Sequence, residues 1–152
     1  MPVTFDQHIE IDAPVKTVWS ILTDPNKWPL WFADMERVLN FTAVKTGSTF
    51  QWQKGDDTGD GSIVHVDTDK YRIRVVTQMG SDQVTHTFDV DRAGGLLGIG
   101  GNDAGLKYTM EYDPPGGFIS DFVASGNPRD ALRVKHTLEK VKELAEGQAG
   151  KR

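Results

Sequence analysis

The stretch from Ile9 to Val38 constrains the fold of this chain more than any other. Ile9 and Ile11 alternate with Glu10 and Asp12, the period of a short strand with one wet face. Pro14 follows where the first turn of a helix tolerates a proline. Val15, Val18, Trp19 and Leu22 then recur at i, i+3, i+4 and i+7, which is one apolar helical stripe. Asp24-Pro25 stops that helix, and Trp28-Pro29-Leu30-Trp31-Phe32 forms an aromatic corner before the chain turns back into a strand.

Beyond the corner the pattern becomes a series of strands. Val38–Val44 is rich in β-formers and is turned by Lys45-Thr46-Gly47. Ser48–Lys54 sets Phe50 and Trp52 against Gln51 and Gln53, and Gly55–Gly61 reads as a polar, glycine-rich turn. Ser62–Val66 and Tyr71–Gln78 are joined through Asp67–Lys70, with Tyr71, Ile73 and Val75 opposing Arg72 and Arg74. Val84, His86, Phe88 and Val90 make the next apolar face, and Leu106, Tyr108, Met110 and Tyr112 the last. This alternation predicts an antiparallel sheet with one packed and one solvated face.

The end of the sequence is helical. Asn127-Pro128-Arg129-Asp130 offers an N-cap, a proline at the first position and an acid in the first turn. Ala131, Val134, Leu138, Val141 and Ala145 step by three and four, and Gly147 is a natural stop. A helix from Pro128 to Glu146 is about 28 Å long, enough to cross six or seven strands. Phe118, Ile119, Phe122 and Val123 also fall at helical spacing, as a separate short helix or as the first turns of one helix bent at Gly126-Asn127-Pro128. The fold class is therefore α+β, in a single domain over residues 1–152, because no repeat or linker interrupts the series.

Composition narrows the function. With 152 residues, 38% hydrophobic and 26% charged, the chain is long and apolar enough for one core. A formal net charge of −5 without a basic cluster argues against nucleic acid and anionic membranes as partners. No cysteine is present, which removes disulfides, thiolate catalysis and cysteine-ligated zinc. Met1–Asp6 lacks the basic and long apolar regions of a signal peptide, and no apolar run approaches the roughly 20 residues of a membrane span. A soluble, cytoplasmic protein with no integral membrane segment is expected.

The order Ala13-Pro14, Val18-Trp19, Asp24-Pro25, Trp28, followed by strands and a terminal helix, resembles the START-like, or SRPBCC, helix-grip superfamily, which includes the birch-pollen-allergen-like proteins, polyketide cyclases/dehydrases and lipid carriers. The resemblance spans essentially the whole chain and is strongest from Ile9 to Val38. It implies six to seven curved antiparallel strands gripping a long C-terminal helix, two short helices after the first strand, and a cavity between sheet and helix.

Chemistry is harder to place. The four histidines, His8, His65, His86 and His136, fall in different elements without ligand spacing, so no metal site is expected. No Gly-x-Ser-x-Gly elbow supports acyl transfer, and no cofactor motif is present. The run Ala93–Asp103 lacks the spacing of a phosphate-binding loop. Its Leu96, Leu97 and Ile99 suit either a lid at a cavity mouth or a segment that folds onto the protein or a partner subunit, which leaves a homodimer open. The strand alternation turns His86 inward with Val84, Phe88 and Val90; such a histidine serves as a general base, orients a ligand, or is a core residue satisfied by a backbone carbonyl. Tyr108 offers its hydroxyl to the same space. Arg72 and Arg74 alternate onto the wet face.

Within the cavity that the resemblance implies, Trp31, Phe50, Trp52, His86, Phe88, Tyr108, Met110 and Phe122 are the candidate ligand-binding residues. The expected function is binding, transport or sensing of a small hydrophobic, lipid- or polyketide-like molecule. An alternative is a cyclase, aromatase or dehydrase acting in the same cavity. A further alternative is a cochaperone-like interaction module, which requires an exposed apolar patch around Leu96–Ile99.

Overall fold

Nine residues with one face half-buried, Val3–Ile11, form β1, the first strand of the chain in a computed structural model that describes residues 3–32, 35–79, 82–92, 104–112 and 128–149. Pro14 caps helix α1, Val15–Leu22, with its carbonyl accepting from the amides of Thr17 and Val18. The inward face of α1 is carried by Val18, Ile21 and Leu22, rotated from the predicted stripe. Trp19 is only half-buried and sets its ring edge-on to Tyr71 at 5.4 Å. The Asp24 side chain accepts from the Asn26 amide and opens a 3₁₀ turn at Pro25–Lys27, and α2 follows at Trp28–Trp31. The aromatic corner is thus a helical turn whose Trp28 and Trp31 are buried.

Six further strands complete the sheet: β2 Arg37–Leu39, β3 Thr49–Lys54, β4 Asp57–Asp67, β5 Arg72–Met79, β6 Asp82–Arg92 and β7 Ala104–Tyr112. They form one antiparallel, curved sheet in the order β1-β7-β6-β5-β4-β3-β2, so the first and last of the described strands are paired. Helix α3, Pro128–Ala149, packs on β1 and β7 and against α1 and α2. This is the helix-grip arrangement expected from the order of elements.

Three boundaries differ from the sequence reading. β2 stops at Leu39 rather than Val44, because Asn40 takes a positive φ of 58° and turns the chain. Phe41 nevertheless returns to the core, stacking on Phe50 at 4.5 Å. The predicted turn Gly55–Gly61 shrinks to Gly55 and Asp56, and the residues from Asp57 onward belong to β4. Gly59 and Gly61 pair with Trp52 and Phe50, and a β-carbon at either would overlap the ring opposite. Their glycines thus make room for aromatic side chains instead of marking a loop. Finally, α3 runs through Gly147 to Ala149. The stretch Phe118–Val123, the break at Gly126-Asn127, and the loop Gly94–Asp103 lie outside the described residues.

The core lies between the sheet and the helices. Val134, Leu138, Val141 and Ala145 of α3 meet Ile11, Val18, Leu22, Leu106 and Tyr108 in one buried cluster. The outer face of the sheet is polar: Arg72 pairs with Asp89 across β5 and β6, and that hydrogen bond and charge hold the guanidinium above its ordinary pKa.

Candidate functional site

On the packed face of the sheet, β5, β6 and β7 each bring one polar side chain into a mostly apolar interior, to which α3 adds Thr137. Thr77, His86 and Tyr108 occupy diagonal positions in the ladder, since His86 faces Val75 on one side and Met110 on the other, while Thr77 pairs with Val84 and Phe88 with Tyr108. Diagonal neighbours on one face lie within reach of long and aromatic side chains. His86 Nε2 is 2.9 Å from Thr77 Oγ1, and His86 Nδ1 is 2.6 Å from the Tyr108 hydroxyl. His86 is fully buried and Tyr108 is nearly so. The imidazole therefore sits between two hydroxyls, and each hydroxyl can donate or accept, so both neutral tautomers find complementary partners.

Aromatic rings surround this polar line. Phe32 meets the His86 ring edge-on at 5.0 Å, Phe88 stacks on Tyr108 at 4.5 Å, and Trp31 packs edge-on to Phe88 at 5.3 Å. In such surroundings polar pairs are electrostatically stronger than in water, and a lost partner is correspondingly expensive.

The structure brings most of the sequence-predicted residues to this side of the sheet. Trp31, Phe50, Trp52, His86, Phe88, Tyr108 and Met110 are all buried on the core face. They fall into two neighbouring groups. Trp31, His86, Phe88, Tyr108 and Met110 cluster about the polar line. Phe50 instead packs with Trp28 and Phe41, and Trp52 anchors its indole N–H to the Asp60 carbonyl at 3.1 Å. Phe122 and the lid candidates Leu96, Leu97 and Ile99 lie outside the described residues. Among the described residues no group of three or more His, Asp or Glu side chains is arranged to hold a metal ion.

Sequence reasoning missed Thr77 and Phe32. Thr77 is the next inward position after Ile73 and Val75, so the period of two contained it, but a threonine did not extend an apolar run. Phe32 closes the aromatic corner, and nothing in its local pattern says that it reaches across to β6.

With this geometry in view, comparison with known proteins is informative. The chain matches, over residues 2–146, the family described as polyketide cyclase / dehydrase and lipid transport. No curated protein matches it significantly. Among solved structures, DynU16, a protein of the dynemicin biosynthetic locus, is 17% identical with a TM-score of 0.69 over 96% of this chain, which spans only 48% of DynU16. Protein CV1439 from Chromobacterium violaceum is 18% identical with a TM-score of 0.67, covering 94% of this chain and 96% of that one. Norcoclaurine synthase from Thalictrum flavum, in complex with dopamine and hydroxybenzaldehyde, is 14% identical with a TM-score of 0.67, covering 95% and 86%. At these identities the likeness establishes the shared fold. Among the described residues no helix is long and apolar enough to cross a membrane.

Proposed function

Because the chain belongs to the polyketide cyclase/dehydrase and lipid transport family, we propose that it binds a small hydrophobic molecule between the sheet and α3, with His86 and Tyr108 orienting the polar group of that ligand. The observation that carries this reading is the buried Thr77–His86–Tyr108 line within an aromatic shell. Apolar burial supplies the affinity, at about 25 cal/mol per Å² before the costs of association, and few polar groups are needed to set orientation.

A second reading, a cyclase- or dehydrase-like enzyme, is favoured by the same hydroxyl–imidazole–hydroxyl series. With both ring nitrogens held by hydroxyls, a ligand proton would reach the imidazole through the Tyr108 hydroxyl, which takes it while passing its own proton to Nδ1, and Nε2 would stay hydrogen-bonded to Thr77. The norcoclaurine synthase likeness adds a protein of this fold whose bound compounds are small aromatics.

Native mass spectrometry of the protein incubated with a hydrophobic metabolite extract tests both. A compound retained one-to-one by the unmodified protein, and lost or exchanged for others in His86→Leu and Tyr108→Phe, supports the binding reading. Conversion of that compound by the unmodified protein but not by His86→Leu supports the enzyme. Unchanged retention and selectivity in both variants removes His86 and Tyr108 from the site.

A further inference from the structure

A groove of about 410 Å³ opens between α2, the end of β3 and the first half of α3, and it differs in character from the rest of the surface. Its volume is that of a small-molecule site. Its rim carries three cations, Lys54, Arg133 and Lys140, and the carboxylate of Glu36, in a chain whose net charge is −5, and Lys140 also lies 3.6 Å from the Glu143 carboxylate. The Glu36 carboxylate is already committed to the Gly55 amide at 2.8 Å, in the turn between β3 and β4. His136 adds an imidazole to the same rim. Cations from a strand end and from positions about two turns apart on α3 thus converge on one concavity.

The walls are apolar. Leu30 and Leu132 are 58% and 56% exposed, two of the four exposed large hydrophobics among the described residues, and both line this groove. Deeper, Trp31 and Phe32 form part of the wall, and these rings touch Phe88 and His86 of the interior. One ring therefore separates the groove from the polar line. Trp31 contributes a further signal: its indole N–H is buried and has no hydrogen-bond partner among the described residues. A buried donor without an acceptor is rare in folded proteins.

We propose that this groove binds the anionic end of an amphipathic ligand, a long-chain or aryl carboxylate whose apolar body lies along Leu30, Leu132, Trp31 and Phe32. This rests on the hydrophobic-ligand reading and gives that ligand a charged end at the rim, separate from any polar group that meets His86 and Tyr108. The lysines and the arginine compensate the carboxylate charge at the rim, where charge-assisted hydrogen bonds are roughly twice as strong as neutral ones. Apolar walls exclude free inorganic anions, for which they offer nothing, and the positive rim disfavours hydrophobic amines by like-charge repulsion. An acid is distinguished from its ester by this rim alone.

Calorimetric titration with dodecanoate and with its methyl ester tests the assignment on the full chain. The acid binds at least about tenfold more tightly than the ester, the difference that one charged hydrogen bond supplies. In the exposed double variant K54Q/K140Q that preference falls towards unity while ester binding persists. Equal binding of acid and ester to the unmodified protein overturns the anionic specificity and leaves the hydrophobic-ligand reading standing. An acid preference that survives K54Q/K140Q and also R133Q overturns the groove as its seat. Binding of neither compound overturns both. Retention by phosphatidylglycerol vesicles without binding of free dodecanoate reassigns the groove to a lipid surface and overturns the small-molecule site.

Discussion

The Tyr108 hydroxyl lies 2.6 Å from Nδ1 of His86, a contact between adjacent strands made on the buried face of the sheet. Its consequence is thermodynamic. Removing one partner of a buried pair leaves the other with its desolvation uncompensated. Tyr108→Phe keeps the ring that stacks on Phe88 and deletes only the hydroxyl. It is expected to destabilise the protein by about 1–3 kcal/mol in denaturant unfolding, with an unchanged m value, a shift of a few degrees in Tm for a chain of this size. The Nδ1 resonance of His86 should move with it. No change in either would mean that the hydroxyl is not a working partner of the imidazole.

The glycines of β4 and α3 should respond to the same substitution with opposite signs. Gly61→Ala drives a methyl group into the Phe50 ring, which is itself held by Phe41 and Trp28. Overpacking of this kind costs about 1–3 kcal/mol, and the near-ultraviolet dichroism of the aromatic cluster should change. Gly147→Ala meets no atom within 4 Å and lies inside the helix. It should stabilise by about 0.5–1 kcal/mol, the helical preference of alanine over glycine. A stabilising Gly61→Ala or a destabilising Gly147→Ala, read as denaturation midpoints, would contradict the packing described for that glycine.

These glycines also show where the sequence is a good guide and where it is not. Alternation placed Ile73, Val75, His86, Phe88, Tyr108 and Met110 on one face, because a strand's period of two holds along its whole length. The Gly55–Gly61 stretch looked like a turn because glycine and aspartate are usual there, yet in β4 the absence of a side chain is the accommodation of the facing rings. That fact belongs to the pairing of Gly61 with Phe50 and is invisible in either segment alone. The polar line was half legible: His86 and Tyr108 stood out as polar groups in apolar runs, whereas Thr77 ended its run. The groove was not legible at all. Leu30, Lys54, Arg133 and Lys140 are brought together only when α3 crosses the sheet beside α2. Long-range convergence of that sort leaves no local period to read.

The last turns of α3 are anchored to the start of the chain, with Gln148 beyond Gly147 accepting from Lys27 at 3.4 Å. Glu146 accepts from the Asp12 amide at 2.9 Å and pairs with Lys142 at 3.4 Å, while Lys142 donates to the Glu10 carbonyl at 3.0 Å. The helix end is thus tied to the end of β1 and to the chain just before α1. Glu146→Gln keeps the shape and hydrogen-bonding capacity of the side chain but removes its charge. Because Glu146 remains one-third exposed, the direct ion-pair contribution is modest, in the range of about 0.2–1 kcal/mol for surface pairs. Glu146→Ala also removes the acceptor for the Asp12 amide and should cost more, about 0.5–1.5 kcal/mol for one hydrogen bond. The discriminating measurement is amide hydrogen exchange. The Asp12 amide should exchange faster in Glu146→Ala than in Glu146→Gln, with the central strands β5 to β7 unaffected in both. If Asp12 exchanged at the same rate in both variants and in the unmodified protein, the Glu146 side chain would not be what protects that amide.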